Sequence, residues 1–192
     1  MKNKKYKYLI VNKPYGVLSQ FTDKEKRKTL SSLYKFPKNI FPVGRLDLDS
    51  EGLLILTDDK ALTDFLLNPK NHHEKEYYVQ VENIPDKNTL KKLEEGVIIE
   101  KKNTLPSKAK IINDPKIPPR NPPIRERKNI PTAWISLTIK EGRNRQVRKM
   151  TASVGCPTLR LVRIRIKNIF LGRLNPGEVR ELTFKEVEDL YN

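Results

Sequence analysis

The chain has 192 residues, 36% of them hydrophobic, with 39 Lys and Arg against 23 Asp and Glu and a formal net charge of +16. That length suits one large domain or two small lobes with a proper core, not a multidomain machine, and the charge calls for an anionic partner. One cysteine, Cys156, excludes a disulfide framework, the adjacent His72 and His73 make no zinc site by themselves, and no apolar run approaches the ~18 residues of a membrane span.

Met1 to Lys7 is basic but is not followed by the long apolar stretch of a signal peptide, so a cytoplasmic protein is expected. No period repeats along the chain. Lys7 to Asn12 reads as a strand, closed by Lys13-Pro14-Tyr15-Gly16, where Pro removes a ladder donor and Gly allows a sharp turn. Thr29 to Phe36 reads as a short helix. Gly52 to Thr57 is a continuous apolar run, short enough for a buried strand; Asp58 or Asp59 then suits the N-cap of a helix through Leu67, stopped by Asn68-Pro69.

Glu76 to Glu82 alternates, with Tyr77, Val79 and Val81 on one face, as a half-buried strand does. Asp86 caps a helix carrying Leu90 and Leu93 and ending at Gly96; Val97 to Ile99 and Lys108 to Ile112 are extended. Prolines crowd Pro115 to Pro131 beside Arg120, Arg125, Arg127 and Lys128, which excludes a helix or central strand and leaves a basic extended loop. Thr132 to Lys140 alternates again, and Glu141-Gly142 leads into a helix from about Arg143 to Val154. On it Val147, Met150, Thr151 and Val154 form a packing face, while Arg145, Arg148 and Lys149 fall on another. Leu159 to Ile169 reads as a strand with Val162, Ile164 and Ile166 on one face and Arg163, Arg165 and Lys167 on the other.

From Gly142 to Gly177 there are nine basic residues and no Asp or Glu. A charge run is usually a solvated face, but like charges on one strand face repel without a partner. The expectation is a surface that tracks phosphates, carried by Arg143, Arg145, Lys149, Arg160, Arg163, Arg165 and Lys167. Against it stands one acidic loop, Gly44-Arg45-Leu46-Asp47-Leu48-Asp49-Ser50-Glu51-Gly52, whose glycines suit a segment that presents side chains. On physical grounds this is equally an acidic surface turn or an active site. If the loop is extended, Asp47 and Asp49 lie on one side, as a carboxylate-pair hydrolase would need.

Five motifs in order resemble the bacterial ribosomal RNA pseudouridine synthases of the RsuA type. They are Lys13 to Ser19, Gly44 to Thr57, Lys75 to Val79, Glu141 to Met150, and Gly155 through Pro157–Leu161 to Leu174–Gly177. The resemblance implies an α+β pseudouridine synthase fold: a mainly antiparallel mixed sheet with flanking helices, in two lobes around a catalytic cleft, with residues 1–192 as a single catalytic domain. It implies isomerisation of a uridine in RNA to pseudouridine, with Asp47 as the essential carboxylate and no cofactor or metal. Arg148 matches the arginine that pairs with that aspartate, Tyr77 the tyrosine that stacks on the target base, and Arg45 the residue that braces the space left by a flipped-out uridine. Asp49, Ser50 and Glu51 shape the loop. The first strand begins by about Lys7, which leaves no room for the S4-type RNA-binding module of many relatives. With Asn121 to Trp134, this is most similar to the short RluE-type branch, whose substrate is large-subunit (23S) ribosomal RNA, and a monomer is expected. The competing reading is a non-catalytic RNA-binding factor of ribosome assembly on the same fold.

Overall fold

A computed structural model describes residues 6–124, 127 and 129–191; the basic start of the chain through Lys5 and Arg125 and Lys128 of the Pro-rich loop lie outside the described residues. In chain order the elements are β1 (Tyr8–Lys13), β2 (Phe41–Pro42), β3 (Glu51–Thr57), α1 (Lys60–Leu67), β4 (Lys75–Glu82), α2 (Lys87–Glu95), β5 (Ile98–Ile99) and β6 (Lys102–Asn103). Then follow β7 (Lys108–Ile112), β8 (Thr132–Ile139), α3 (Gln146–Ser153), β9 (Thr158–Ile166), β10 (Ile169–Phe170), β11 (Val179–Glu181) and α4 (Phe184–Tyr191). The residues group into two compact units: one comprises the chain up to Asn71 and again from Arg165, the other His72–Ile164. The expected α+β class holds.

In the first unit β1 pairs antiparallel with β11 on one side and with β3 on the other, in registers such as Val11↔Val179 and Ile10↔Ile55. Every residue of β3 is buried, as its unbroken apolar run requires of a strand covered on both faces. Asp59 caps α1 by accepting from the amides of Ala61 and Leu62 at 3.0 and 3.2 Å. Its other carboxylate oxygen accepts from the hydroxyls of Tyr8, at 2.8 Å, and Tyr191, so one buried side chain ties β1, α1 and α4 together. Those hydrogen bonds outweigh burial and hold its pKa below the usual carboxylate range. At α4, Thr183 Oγ1 accepts from the amide of Glu186, and Glu186 accepts from the amide of Thr183 at 2.8 Å, a reciprocal capping box.

The second unit runs β9-β4-β8-β7 across its sheet. The β4–β8 pair is antiparallel with Tyr77 opposite Leu137 and Val79 opposite Ile135, and Tyr77, Val79 and Val81 are all buried, as their alternation requires. Asp86 caps α2 through the amide of Thr89 at 2.7 Å. Gly96 ends that helix at φ +99°, and a Cβ there would lie 2.6 Å from the carbonyl oxygen of Thr104, so only glycine fits. Among the described residues between β7 and β8 there is neither helix nor strand, as the prolines dictate.

Three expectations are corrected. Thr29 to Phe36 holds only a single 3-10 turn at Leu30–Ser32, because the backbone bonds sideways: Leu30 N donates to Gln20 O and Leu18 N to Lys28 O, both at 2.9 Å. The helix expected from Arg143 starts at Gln146, since Arg145 sits in the left-handed region at φ +51°. Finally, Arg160, Leu161, Val162 and Arg163 are buried in succession, with the two arginines 5% and 4% exposed. Four consecutive buried residues point to both faces of a strand, so β9 is covered on both and offers no exposed cationic face there.

Candidate active site

The acidic loop is held by the motif that precedes it in the chain. Lys13, wholly buried at the end of β1, donates its ammonium to Val17 O at 2.7 Å and Pro14 O at 3.0 Å, closing the Lys13–Val17 turn on itself. From that turn Gly16 N donates to Leu48 O at 2.8 Å. The buried Ser19 hydroxyl then accepts from Leu46 N at 3.0 Å and donates to Leu46 O at 2.8 Å. Asp47 therefore sits between two residues whose backbone is fixed from outside the loop, and Val43 N donates to Ile55 O at 2.7 Å to fix the loop's entry.

Within this frame Leu46 is buried, Asp47 half-buried and Arg45 exposed. Ser50 N closes a turn on Asp47 O at 3.1 Å, so the loop is not extended and the alignment of Asp47 and Asp49 needed by a carboxylate-pair hydrolase does not arise from strand geometry. Ser50 and Glu51 are buried and Asp49 half-buried. The result is a half-exposed carboxylate on an immobilised backbone, the kind of preorganisation from which a reacting group benefits.

In the second unit, Tyr77 lies on β4 at 8% exposure and Arg148, half-buried, on α3. The turn before α3 folds on its own side chains. Buried Gln146 donates to Glu141 Oε1 at 2.6 Å and accepts from Arg143 N at 2.9 Å, while the Arg143 guanidinium donates to Glu141 Oε2 at 3.0 Å and Lys102 O at 3.2 Å. Glu141 also accepts from Leu105 N at 2.9 Å, so Arg143 and Gln146 carry structural duties. Lys149 pairs with Glu100 and donates to Asn144 O at 2.8 Å, and its hydrogen bond, and then its charge, hold the Glu100 carboxyl below the usual range. Arg145 is exposed.

Three further members of the basic run are also engaged. Arg160 donates to Pro118 O in the Pro-rich loop at 2.9 Å. Arg165 donates to Lys167 O at 2.8 Å and stacks over Phe170. Lys167 turns at φ +49°, donates to Leu190 O at 3.0 Å and lies over the Phe65 ring, with its pKa lowered by burial. Arg120 and Arg127 of the Pro-rich loop likewise have carbonyl and carboxylate partners, at Pro122 O and Glu82.

Sequence reasoning passed over four residues. Ser19 and Lys13 lay inside a motif but carried no role: the partner of Ser19 is 27 positions away, and Lys13 bonds backbone carbonyls, which no side-chain pattern marks. Gln146 sits in a row of arginines that drew the eye to charge. Lys75 is the fourth: burial first, and then the charge of Arg163, lower the pKa of its ammonium. Two neighbouring cations in a desolvated setting favour any anionic group that joins them. Among the described residues no three His, Cys, Asp or Glu side chains are grouped so as to hold a metal ion.

A family model described as RNA pseudouridylate synthase matches residues 7–153. A protein of Vibrio parahaemolyticus named ribosomal large subunit pseudouridine synthase E is 52% identical over 176 residues, 92% of this chain and 74% of that protein. A protein of the same name from Xanthomonas axonopodis pv. citri is 48% identical over 171 residues, 88% of this chain and 90% of that protein. The crystal structure of a pseudouridylate synthase superposes with a TM-score of 0.82 at 31% identity, covering 99% of this chain and 76% of that one.

Proposed function

Since the chain belongs to the RNA pseudouridylate synthase family, we propose that it isomerises a particular uridine of large-subunit (23S) ribosomal RNA to pseudouridine, with Asp47 as the essential carboxylate. The observation that carries the choice of Asp47 is the double bracing of its neighbours, Leu46 by Ser19 and Leu48 by Gly16, around a half-exposed acid. Arg45, Tyr77 and Arg148 are assigned to the same chemistry on the resemblance, as brace of the vacated stack, base-stacking ring and partner of the carboxylate. The reading takes residues 1–192 as one catalytic domain that binds RNA itself, as a monomer, in the cytoplasm. No helix among the described residues is long and apolar enough to cross a membrane.

The reaction is an isomerisation. The N1–C1′ bond breaks, the uracil turns while it is retained, C5 bonds to C1′, and the hydrogen on C5 is lost to solvent as N1 gains a proton. An aspartate serves either by attack on C1′ or by removal of the C2′ proton; both need it ionised and fixed relative to the ribose. A bound uridine must leave its stack for either, which is why a brace at Arg45 accompanies the acid.

The test uses pure protein and RNA tritiated at uridine C5. Asp47→Ala and Asp47→Asn are expected to abolish tritium release while RNA binding survives, and retained release by Asp47→Ala refutes the assignment. RNA binding without pseudouridine formation by the unaltered protein would establish the non-catalytic reading instead. Chemical mapping of pseudouridine in ribosomal RNA, with and without the gene, identifies the target.

A further inference from the structure

The stretch from Phe21 to Phe41, between the first two motifs, lies outside the frame that holds Asp47, and it carries an unusual surface. Phe21, Tyr34 and Phe36 pack edge to face, Phe21 to Phe36 at 5.4 Å and Tyr34 to Phe36 at 5.2 Å between ring centroids. With Phe41 they line a concavity of about 500 Å³. Tyr34 is 49% exposed and Phe41 61% exposed, so two aromatic rings face solvent where burial would ordinarily have removed them.

Charge surrounds those rings. Lys24, Lys26, Lys28, Lys35 and Lys38 are all exposed, and none of them forms an ion pair with a described residue. The only two acids between residues 21 and 41, Asp23 and Glu25, are both turned to Arg27, at 2.8 and 3.3 Å. That arginine holds the Asp23 carboxyl down at about pKa 2. Arg27 offsets one of these two negative charges and holds both acids to itself, so five lysines are left to act outward against a single residual negative charge. The wall is also preformed: Ser31 Oγ donates to Phe21 O at 2.7 Å, and Ile40, which also lines the concavity, is only 3% exposed.

We propose that this concavity binds an unpaired, single-stranded stretch of the RNA substrate beside the target uridine, a reading that rests on the RNA-modifying function above. Bases stack on the Tyr34 and Phe41 rings, and the lysines, Lys35 and Lys38 foremost, meet the phosphates. A duplex hides its base faces and would leave both rings without a partner, so single-stranded RNA is the occupant. Phe41 precedes Asp47 by six positions in the same unit, a span of at most ~20 Å, so an RNA strand whose uridine is held at Asp47 reaches the concavity within a few nucleotides.

The test uses the full chain, a fluorescein-labelled single-stranded oligouridylate of twelve nucleotides, and a large-subunit RNA transcript. Tyr34→Ala and Phe41→Ala are each expected to weaken oligouridylate binding roughly five- to thirtyfold without altering the slope of log K against log salt, whereas Tyr34→Phe keeps most of the affinity. The pair Lys35→Gln with Lys38→Gln is expected to lower that slope by about 1.4, or 0.7 for each single-strand phosphate that is no longer neutralised. With the transcript, the aromatic variants raise KM far more than they lower kcat. Denaturation midpoints establish that the variants are folded, and the lysine pair supplies a readout that does not depend on the rings. Oligouridylate binding within twofold of the unaltered protein in the Tyr34→Ala/Phe41→Ala double variant overturns the proposal, as does equal competition by a duplex of the same length. An unchanged KM in variants that still make pseudouridine sinks the concavity and leaves the function standing. Loss of oligouridylate binding in a protein that makes no pseudouridine keeps the RNA site and sinks the enzyme.

Discussion

Ser19→Ala removes one oxygen and tests whether the frame around Asp47 matters to catalysis. That oxygen accepts from Leu46 N at 3.0 Å and donates to Leu46 O at 2.8 Å, in a place where Ser19 and Leu46 are each only 6% exposed. Each bond is worth roughly 1 kcal/mol net, and an amide or carbonyl left buried without a partner costs about 1–3 kcal/mol, so the loop at Leu46 loses about 2–3 kcal/mol of positional preference. The loop can relax by opening locally, which limits the loss of global stability to about 1–2 kcal/mol. Catalysis has no such escape, because Asp47 is the next residue. If the full preference is needed in the transition state, the single-turnover rate falls roughly 30- to 150-fold. Tritium release at saturating RNA measures it, and urea denaturation measures the stability. RNA affinity is expected to hold, since a buried hydroxyl touches no ligand. A variant destabilised by the stated amount but within threefold of the unaltered rate would refute the argument that this brace positions the carboxylate.

Asp59→Ala removes the α1 cap, about 1 kcal/mol, and the acceptor of two phenol hydroxyls, so a total loss of about 2–4 kcal/mol is expected in a urea titration. Gly96→Ala places Cβ 2.6 Å from a backbone oxygen at φ +99°, whereas Gly16→Ala meets open space at φ +74°; thermal denaturation should rank Gly96→Ala as the more damaging by about 1 kcal/mol or more. Bidentate contact with Arg180 holds the Glu186 carboxyl at about 2 rather than its ordinary 4.5. A depressed folded-state pKa gives stability that is present above pH 4.5 and lost as pH falls toward 2, so Glu186→Gln should flatten the acid limb of a stability profile in that window. Arg163→Gln should leave the salt slope of RNA binding unchanged while lowering the denaturation midpoint, since the residue is 4% exposed; a shallower slope would show that it meets phosphate.

Legibility followed locality. The unbroken run Leu53-Leu54-Ile55-Leu56, the Asp59 and Asp86 caps and the alternation of Tyr77, Val79 and Val81 each use information within a few residues, and each element formed as expected. The segment Thr29 to Phe36 failed because its start is tied to the stretch before it, Leu30 N donating to Gln20 O and Leu18 N to Lys28 O, a pairing that no helical period reports. For the site, the motifs identified the loop of Asp47 but said nothing of Ser19, whose partner lies 27 positions away. Its role is visible only once the chain has folded back.

Charge shows the same limit more sharply. The acid-free stretch from Gly142 to Gly177 suggests free cations because no carboxylate lies within it, yet partners come from outside: Glu141 and Lys102 O for Arg143, Glu100 for Lys149, Pro118 O for Arg160. Between residues 21 and 41 the inference runs the other way. Two acids interspersed among lysines suggest a neutralised surface, but both acids converge on Arg27 and release five lysines from local pairing. Net charge over a window counts residues, whereas binding depends on which of them the fold has already used. A basic chain of +16 therefore meets RNA with the cations that folding leaves over, and the aromatic rings standing among those lysines are what converts a diffuse attraction into a site.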